Sequence, residues 1–237
     1  MELLGAASSD GWTVRTGGAV AAVTMVPAAT LNGVLVDEVD ADPDAVADLL
    51  DRVAATGLPH CLQLRPGSDP SLLELAARRG MAPDTDIPLM VMEGTGALID
   101  VQPEQLVIRV IAPEDAGQHA SVAAAGFESP EELFRQLITP AVLRAPGTCC
   151  YLGEAGGEPV TTGIGVTLDD CVGIFDIATP PAYRRRGYGA AVTARAVRDG
   201  FCHGARWAFL QSSPAGYPVY ERIGFRIAES WHCWLTV

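Results

Sequence analysis

The chain has 237 residues, 49% of them hydrophobic, and a formal net charge of −13. That length holds one large domain or two small ones with ample core material, and so acidic a chain is a poor general binder of nucleic acid. Its apolar runs are too short to span a bilayer, and Met1-Glu-Leu-Leu-Gly lacks the basic stretch that opens a signal peptide, so the expectation is a soluble cytoplasmic protein with no membrane partner.

Trp12–Arg15 and Ala19–Val26 read as a hairpin around Gly17-Gly18, and Val34–Val39 as a further strand. Asp42-Pro43-Asp44 opens a helix with Val46, Leu49, Leu50 and Val53 at helical spacing. A short strand, His60–Leu64, follows. Pro70–Arg79 is a helix ending at Gly80, and Ile87–Met92 is a strand. Gly94-Thr-Gly-Ala reads as a linker.

Beyond it, Leu106–Ile111 is a strand, and Pro113-Glu-Asp opens a helix to about Gly126. Ser129-Pro130-Glu-Glu caps the next helix, which carries Leu133, Phe134, Leu137 and Ile138. Cys149–Glu154 and Pro159–Leu168 form a hairpin around Gly156-Gly157, and the solvated Asp169-Asp170 turn leads into a strand at Cys171–Thr179. A helix at Gly187–His203, a strand at Trp207–Gln211, a helix at Pro214–Ile223 and a strand from Phe225 to Val237 complete the chain. The six cysteines form no C-x-x-C pair and read as reduced, mostly buried thiols, with Cys202-His203 and His232-Cys233 as the alternative makings of a zinc site.

The stretch Ile174–Ala190 organises the second half. A strand meets Pro180-Pro181, and Arg184, Arg185 and Arg186 precede Gly187-Tyr188-Gly189-Ala190, where a helix begins. Unpaired N–H groups at a helix start favour an anion, and glycines let the backbone approach it. All 16 basic residues are arginine, and the triplet is an island of positive charge in an acidic chain. Downstream, Tyr220 stands four residues before Gly224-Phe225.

Arg184-x-x-Gly187-x-Gly189 and the closing Tyr220-x-x-x-Gly224-Phe225 resemble the matching segments of the GNAT acetyltransferase superfamily, in the same order and at a similar separation. The likeness covers roughly 106–237 well and the first hundred residues faintly. It implies an α+β fold, a mixed, mostly antiparallel sheet flanked by helices, in two related lobes. Residues 1–96 would be a degenerate lobe: Asp40-Ala-Asp-Pro-Asp44 stands where the second half has its arginine–glycine loop, and Ala76 where it has Tyr220. That lobe would pack, shape an acceptor cleft or dimerise. Residues 97–237 would be the catalytic domain.

The resemblance further implies transfer of an acetyl group from acetyl-CoA, as co-substrate and without a metal, to the primary amine of a small molecule or peptide. Arg184, Arg185, Arg186, Gly187, Tyr188, Gly189 and Ala190 would hold the pyrophosphate. The backbone of Ile177, Ala178 and Thr179 would pair with the pantetheine arm, and Ser213 stands where relatives often carry Asn. Tyr220 would be the general acid for the leaving thiolate, or else a packed aromatic. Asp176 is the carboxylate nearest the motif. It could act as base, pair with an arginine or accept an ammonium, a water chain being the alternative base. The competing reading is an acyl-CoA-binding sensor or assembly protein with weak turnover. Transfer from another thioester stays open.

Overall fold

The computed structural model describes residues 10–94, 96 and 98–236. Thr95 and Ala97 of the expected linker, the N-terminal Met1–Gly5 segment and the terminal Val237 lie outside them. The chain divides into two compact units, one running up to Pro88 and resuming at Glu229, the other spanning Leu89–Ala228.

In the first unit, β1 (Trp12–Thr16), β2 (Ala19–Val23) and β3 (Asn32–Val36) form an antiparallel meander. β4 (Cys61–Leu64) lies parallel to β3. A parallel pair needs a crossover, and α1 (Pro43–Ala54) supplies it. Pro43 occupies the first turn of α1, and the Asp42 side chain accepts the Asp44 N–H at 3.0 Å. Val46, Leu49, Leu50 and Val53 of α1 are buried against Ala19, Ala21, Val34, Val36, Leu62 and Leu64. α2 (Pro70–Arg78) adds Leu72, Leu75 and Ala76 to that core, and its start is capped by Asp69. β5 (Met81–Pro83) and β12 (Arg226–Thr236) pair with each other, and β12 also pairs antiparallel with β4.

The second unit repeats the theme. β6 (Ile87–Glu93) pairs antiparallel with β11 (Trp207–Gln211), which lies parallel to β10 (Cys171–Ala178). β9 (Glu158–Leu168), β8 (Thr148–Ala155) and β7 (Leu106–Val110) continue the sheet, all antiparallel. α6 (Tyr188–Cys202) is the crossover between β10 and β11. Its Val192, Ala196 and Val197 pack with Tyr151, Val172 and Ile174. α3 (Ala116–Phe127) covers the opposite face, since Tyr151 reaches Asp199 of α6 while the adjacent Cys150 points the other way. α4 (Glu131–Leu137), α5 (Pro140–Leu143) and α7 (Tyr217–Arg222) complete the unit.

Both sheets are mixed and mostly antiparallel, with helices beside them. The strand that flanks each parallel pair comes from the other half of the sequence: β12 lies beside β4, and β6 beside β11. Division of the chain at 96/97 is therefore not where the compact units part, because strand partners are non-local and periodicity does not reveal them. Ser129 does not cap α4. Glu128 takes a left-handed φ of 54° to end α3, Pro130 is the cap residue of α4, and the Ser129 hydroxyl donates to the Phe127 carbonyl at 3.2 Å. Among the described residues no helix is long and apolar enough to cross a membrane.

Candidate active site

β10 and β11 are paired through Cys171–Trp207, Val172–Ala208 and Gly173–Phe209, and then part. β10 runs on to Ala178 and β11 to Gln211, so the β10 edge from Ile174 onward has no strand beside it on that side. On the other side β10 bulges. Phe175 stands opposite Ile164 and Ala178 opposite Thr162, so β10 carries one extra residue over that interval. Asp176 lies in the bulge with φ 54°. By strict alternation Asp176 would share the α6-facing side with Val172 and Ile174. The extra residue gives that place to Ile177, which packs into the α6-side core, and leaves Asp176 to the α3 side.

The Asp176 carboxylate meets no arginine. Its Oδ2 lies 3.6 Å from Nδ1 of His119, on α3. His119 is fully buried, and among the described residues neither of its ring nitrogens nor Asp176 Oδ2 has a hydrogen-bond partner. Asp176 keeps 11% of its side-chain surface exposed, essentially none of it at Oδ2. Burial pushes Asp176 up to about 8. Burial likewise pushes His119 down to about 4, with the Gly163 backbone acting weakly the other way without making a well-formed hydrogen bond. Cys150 of β8 completes the surroundings, its thiol raised to about 12 by burial first and the Asp176 charge second.

The loop before α6 is built for a bare helix start. Pro181–Tyr183 form a 3₁₀ turn, Arg185 has φ 66°, and Gly187 has φ 81° as an N-cap that offers no side-chain acceptor. Gly187 is required there by its left-handed φ. Its position also lies near Val101 and Pro103, whose side chains would sit 3.5 and 3.6 Å from an added Cβ. Arg184 is a strap: Nε donates to the Thr179 carbonyl at 3.1 Å, and Nη2 to the Gly126 carbonyl at 2.7 Å and Glu128 Oε1 at 2.8 Å. Arg186 donates to the Ala182 carbonyl at 3.2 Å and lies over the Tyr183 ring. Arg185 is exposed. Tyr188 and Ala190 are buried in the first turn of α6, and Gly189 faces Ile177 and Thr179. The Ala178 carbonyl already accepts from the Thr161 hydroxyl at 2.9 Å, and the Thr179 hydroxyl lies 3.0 Å from the same group.

Across the opening, the hydroxyl of Ser213 accepts the Gly216 N–H at 3.1 Å and so shapes the start of α7. Tyr220 packs edge-on against Phe225, with its ring close against Gly216. Burial raises its phenol to about 12, which keeps the proton on at neutral pH, and its hydroxyl has no partner among the described residues. A cavity of about 410 Å³ along α6, lined by Asp100, Glu104, Arg195 and Arg198 among others, contains none of the expected site residues.

The loop residues, the strand end and Asp176 thus gather on β10 and the start of α6, while Ser213 and Tyr220 come from the β11–α7 side. Sequence reasoning missed His119. The available signal was a titratable residue on the buried stripe of an alanine-rich helix, in line with Ala116, Ala120 and Ala123.

Residues 116–225 match the acetyltransferase (GNAT) family. No curated protein matches the chain in sequence. Among solved structures it is similar to a GCN5-related N-acetyltransferase from Kribbella flavida, at TM-score 0.71 and 21% identity, over 95% of this chain and 89% of that one. It is similar too to a GCN5-related N-acetyltransferase from Sphaerobacter thermophilus, at TM-score 0.63 and 16% identity, over 92% and 80%. A tandem GNAT protein from the clavulanic acid biosynthesis pathway aligns at TM-score 0.60 and 15% identity, over 94% and 81%. At these identities the structures speak for the fold.

Proposed function

We propose, from the premise that residues 116–225 are a GNAT acetyltransferase domain, that the protein moves an acetyl group from acetyl-CoA to the primary amine of a small molecule or peptide. The observation that carries the reading is the parting of β10 and β11 after Gly173 and Phe209, next to a helix start capped only by glycine. The exposed β10 edge fits an extended amide-bearing arm, and the uncapped start of α6 fits a pyrophosphate. Acetyl-CoA, when bound, supplies the activated thioester.

The residues divide the remaining work. Arg185 and Arg186 supply charge beside the α6 start. Arg184 holds the loop in place through its bonds to Gly126, Glu128 and Thr179. Asp176 removes a proton from the acceptor ammonium, a role supported by its place in the bulge and its raised affinity for a proton. Tyr220 protonates the departing thiolate, supported by a phenol that stays protonated at neutral pH and has no partner among the described residues.

The test is thiol release from acetyl-CoA in the presence of a panel of primary amines, with calorimetry on the same samples. Release that depends on the amine supports the transferase. Tight CoA binding without release from any thioester or amine would instead favour a sensor, and absence of CoA binding would overturn both.

A further inference from the structure

Among the described residues of the second unit, His119 and Asp176 are the titratable side chains with buried, unpartnered atoms, the Thr148 hydroxyl being the other unpartnered group. Buried polar side chains are nearly always hydrogen-bonded, because an unpaired one loses its water without replacement. Here two titratable side chains from different elements face each other, and the atoms that face are both unpartnered. The bulge exists at this residue and turns Asp176 away from the α6-side core toward α3. A β-bulge and a left-handed non-glycine residue are features that recur where a side chain must be aimed.

The separation of 3.6 Å is beyond a hydrogen bond but within a small contraction of one. The surroundings leave the pair to itself. From β8 comes only the neutral Cys150 thiol. From α4, Glu131 is tied to Arg135 and to the Ser121 hydroxyl. From the turn before α3, Asp115 is tied to Arg109, which also holds Gln118. At the end of α3, Glu128 is tied to Arg184. On β9 the side-chain position of Gly163 points to the α6 side, so it meets His119 only through its backbone, and the flanking Thr162 and Ile164 carry no titratable group, the Thr162 hydroxyl donating to the Tyr151 carbonyl.

We infer that His119 and Asp176 act as one unit, in which His119 Nδ1–H donates to Oδ2 of ionised Asp176 and thereby sets the pH at which Oδ1 can take a proton from an acceptor amine. This rests on the acetyl-transfer reading for the identity of the proton donor, but not for the pairing itself. The proton balance is simple. An N–H bond of the ammonium breaks, its electron pair stays on nitrogen, and an O–H bond forms at Oδ1. His119 remains neutral throughout and keeps its Nδ1–H toward Oδ2. His119 is therefore a positioning residue, acting through Asp176. A hydrogen bond to the ionised form favours that form, so His119 makes the carboxylate available at lower pH than burial alone would allow.

The pairing is tested without any acceptor. Protein labelled with nitrogen-15 at its four histidines is titrated from about pH 5 to about pH 9 by NMR, with His119→Asn identifying the His119 signals. The expected result is a His119 ring that stays neutral over the range, with an inflection near the Asp176 ionisation that vanishes in Asp176→Asn. A His119 that protonates near pH 6.5 like a free imidazole, or one whose signals ignore Asp176, overturns the inference.

The kinetic arm uses acetyl-CoA with whichever primary amine of the panel releases thiol. His119→Leu should move the rising limb of kcat/KM up by about one pH unit, roughly a tenfold loss at neutral pH. His119→Asn, whose amide nitrogen stands where Nδ1 does, should restore the limb. Equal limbs in wild type and His119→Leu overturn the inference. An intact NMR inflection with no amine acetylated supports the pair and refutes the acetyl-transfer reading instead.

Discussion

Replacing Asp176 by Asn should remove a specific dependence of stability on pH. Asn is nearly isosteric and also tolerates the left-handed backbone at this position, so the bulge should survive. In the folded protein Asp176 keeps its proton up to about pH 8, whereas its ordinary value is 3.8. Between those limits the folded state holds one more proton than the unfolded state, and stability falls as pH rises by about 1.4 kcal/mol per pH unit. His119 works oppositely. It stays neutral when folded down to about 4 and would protonate below 6.5 when unfolded, so its contribution rises with pH over that window. Below pH 6.5 the two slopes cancel. From pH 6.5 to 8 Asp176 dominates, and the wild type should lose on the order of 1 kcal/mol, less in proportion as His119 favours the ionised carboxylate. Asp176→Asn stays neutral and should not show that loss. Urea denaturation at pH 6.5 and pH 8, followed by circular dichroism, reads both proteins. Equal losses in the two, or no loss in the wild type, would refute the placement of a buried, protonated carboxyl.

Arg184→Ala should weaken CoA binding roughly tenfold in calorimetry, since charge-assisted bonds that order the loop are lost. Glu128→Gln should weaken it in the same direction, because Arg184 acts partly through that carboxylate; unchanged affinity in both variants would dismiss the strap. Gly126→Ala should destabilise by about 1–3 kcal/mol in thermal or urea melts, because its new Cβ would stand 2.7 Å from Ala178 Cβ and 2.8 Å from the Thr179 nitrogen. Tyr220→Phe should lower kcat by ~10²–10⁴-fold with CoA affinity nearly intact. Its melting temperature should hardly move, since the hydroxyl has no partner to lose among the described residues; wild-type turnover in this variant would remove Tyr220 as the acid.

Much of this architecture was legible in the sequence because it depends on near neighbours. The spacing of Val46, Leu49, Leu50 and Val53 foretold the buried face of α1, and the Asp42-Pro43 start foretold its cap. The Gly17-Gly18 and Gly156-Gly157 turns foretold their hairpins, since both glycines of each pair take positive φ. The arginine–glycine run foretold a helix start without a side-chain cap, because Gly187 supplies conformation and no acceptor. What lay beyond reach was decided by register and by partners distant in the chain. That β6 joins β11 and β12 joins β4 follows from edges brought together only in the folded sheet. The sequence placed Arg184 in the loop but could not show that its guanidinium also bonds the end of α3, 56 residues away in sequence at Glu128. The facing of Asp176 was hidden for the same reason. A strand alternates sides with a period of two, and only the pairing of β10 with β9 shows that one residue is extra. That residue turns a carboxylate away from the α6-side core and toward a histidine whose place on an alanine-rich helix gave no reason, by itself, to expect a partner.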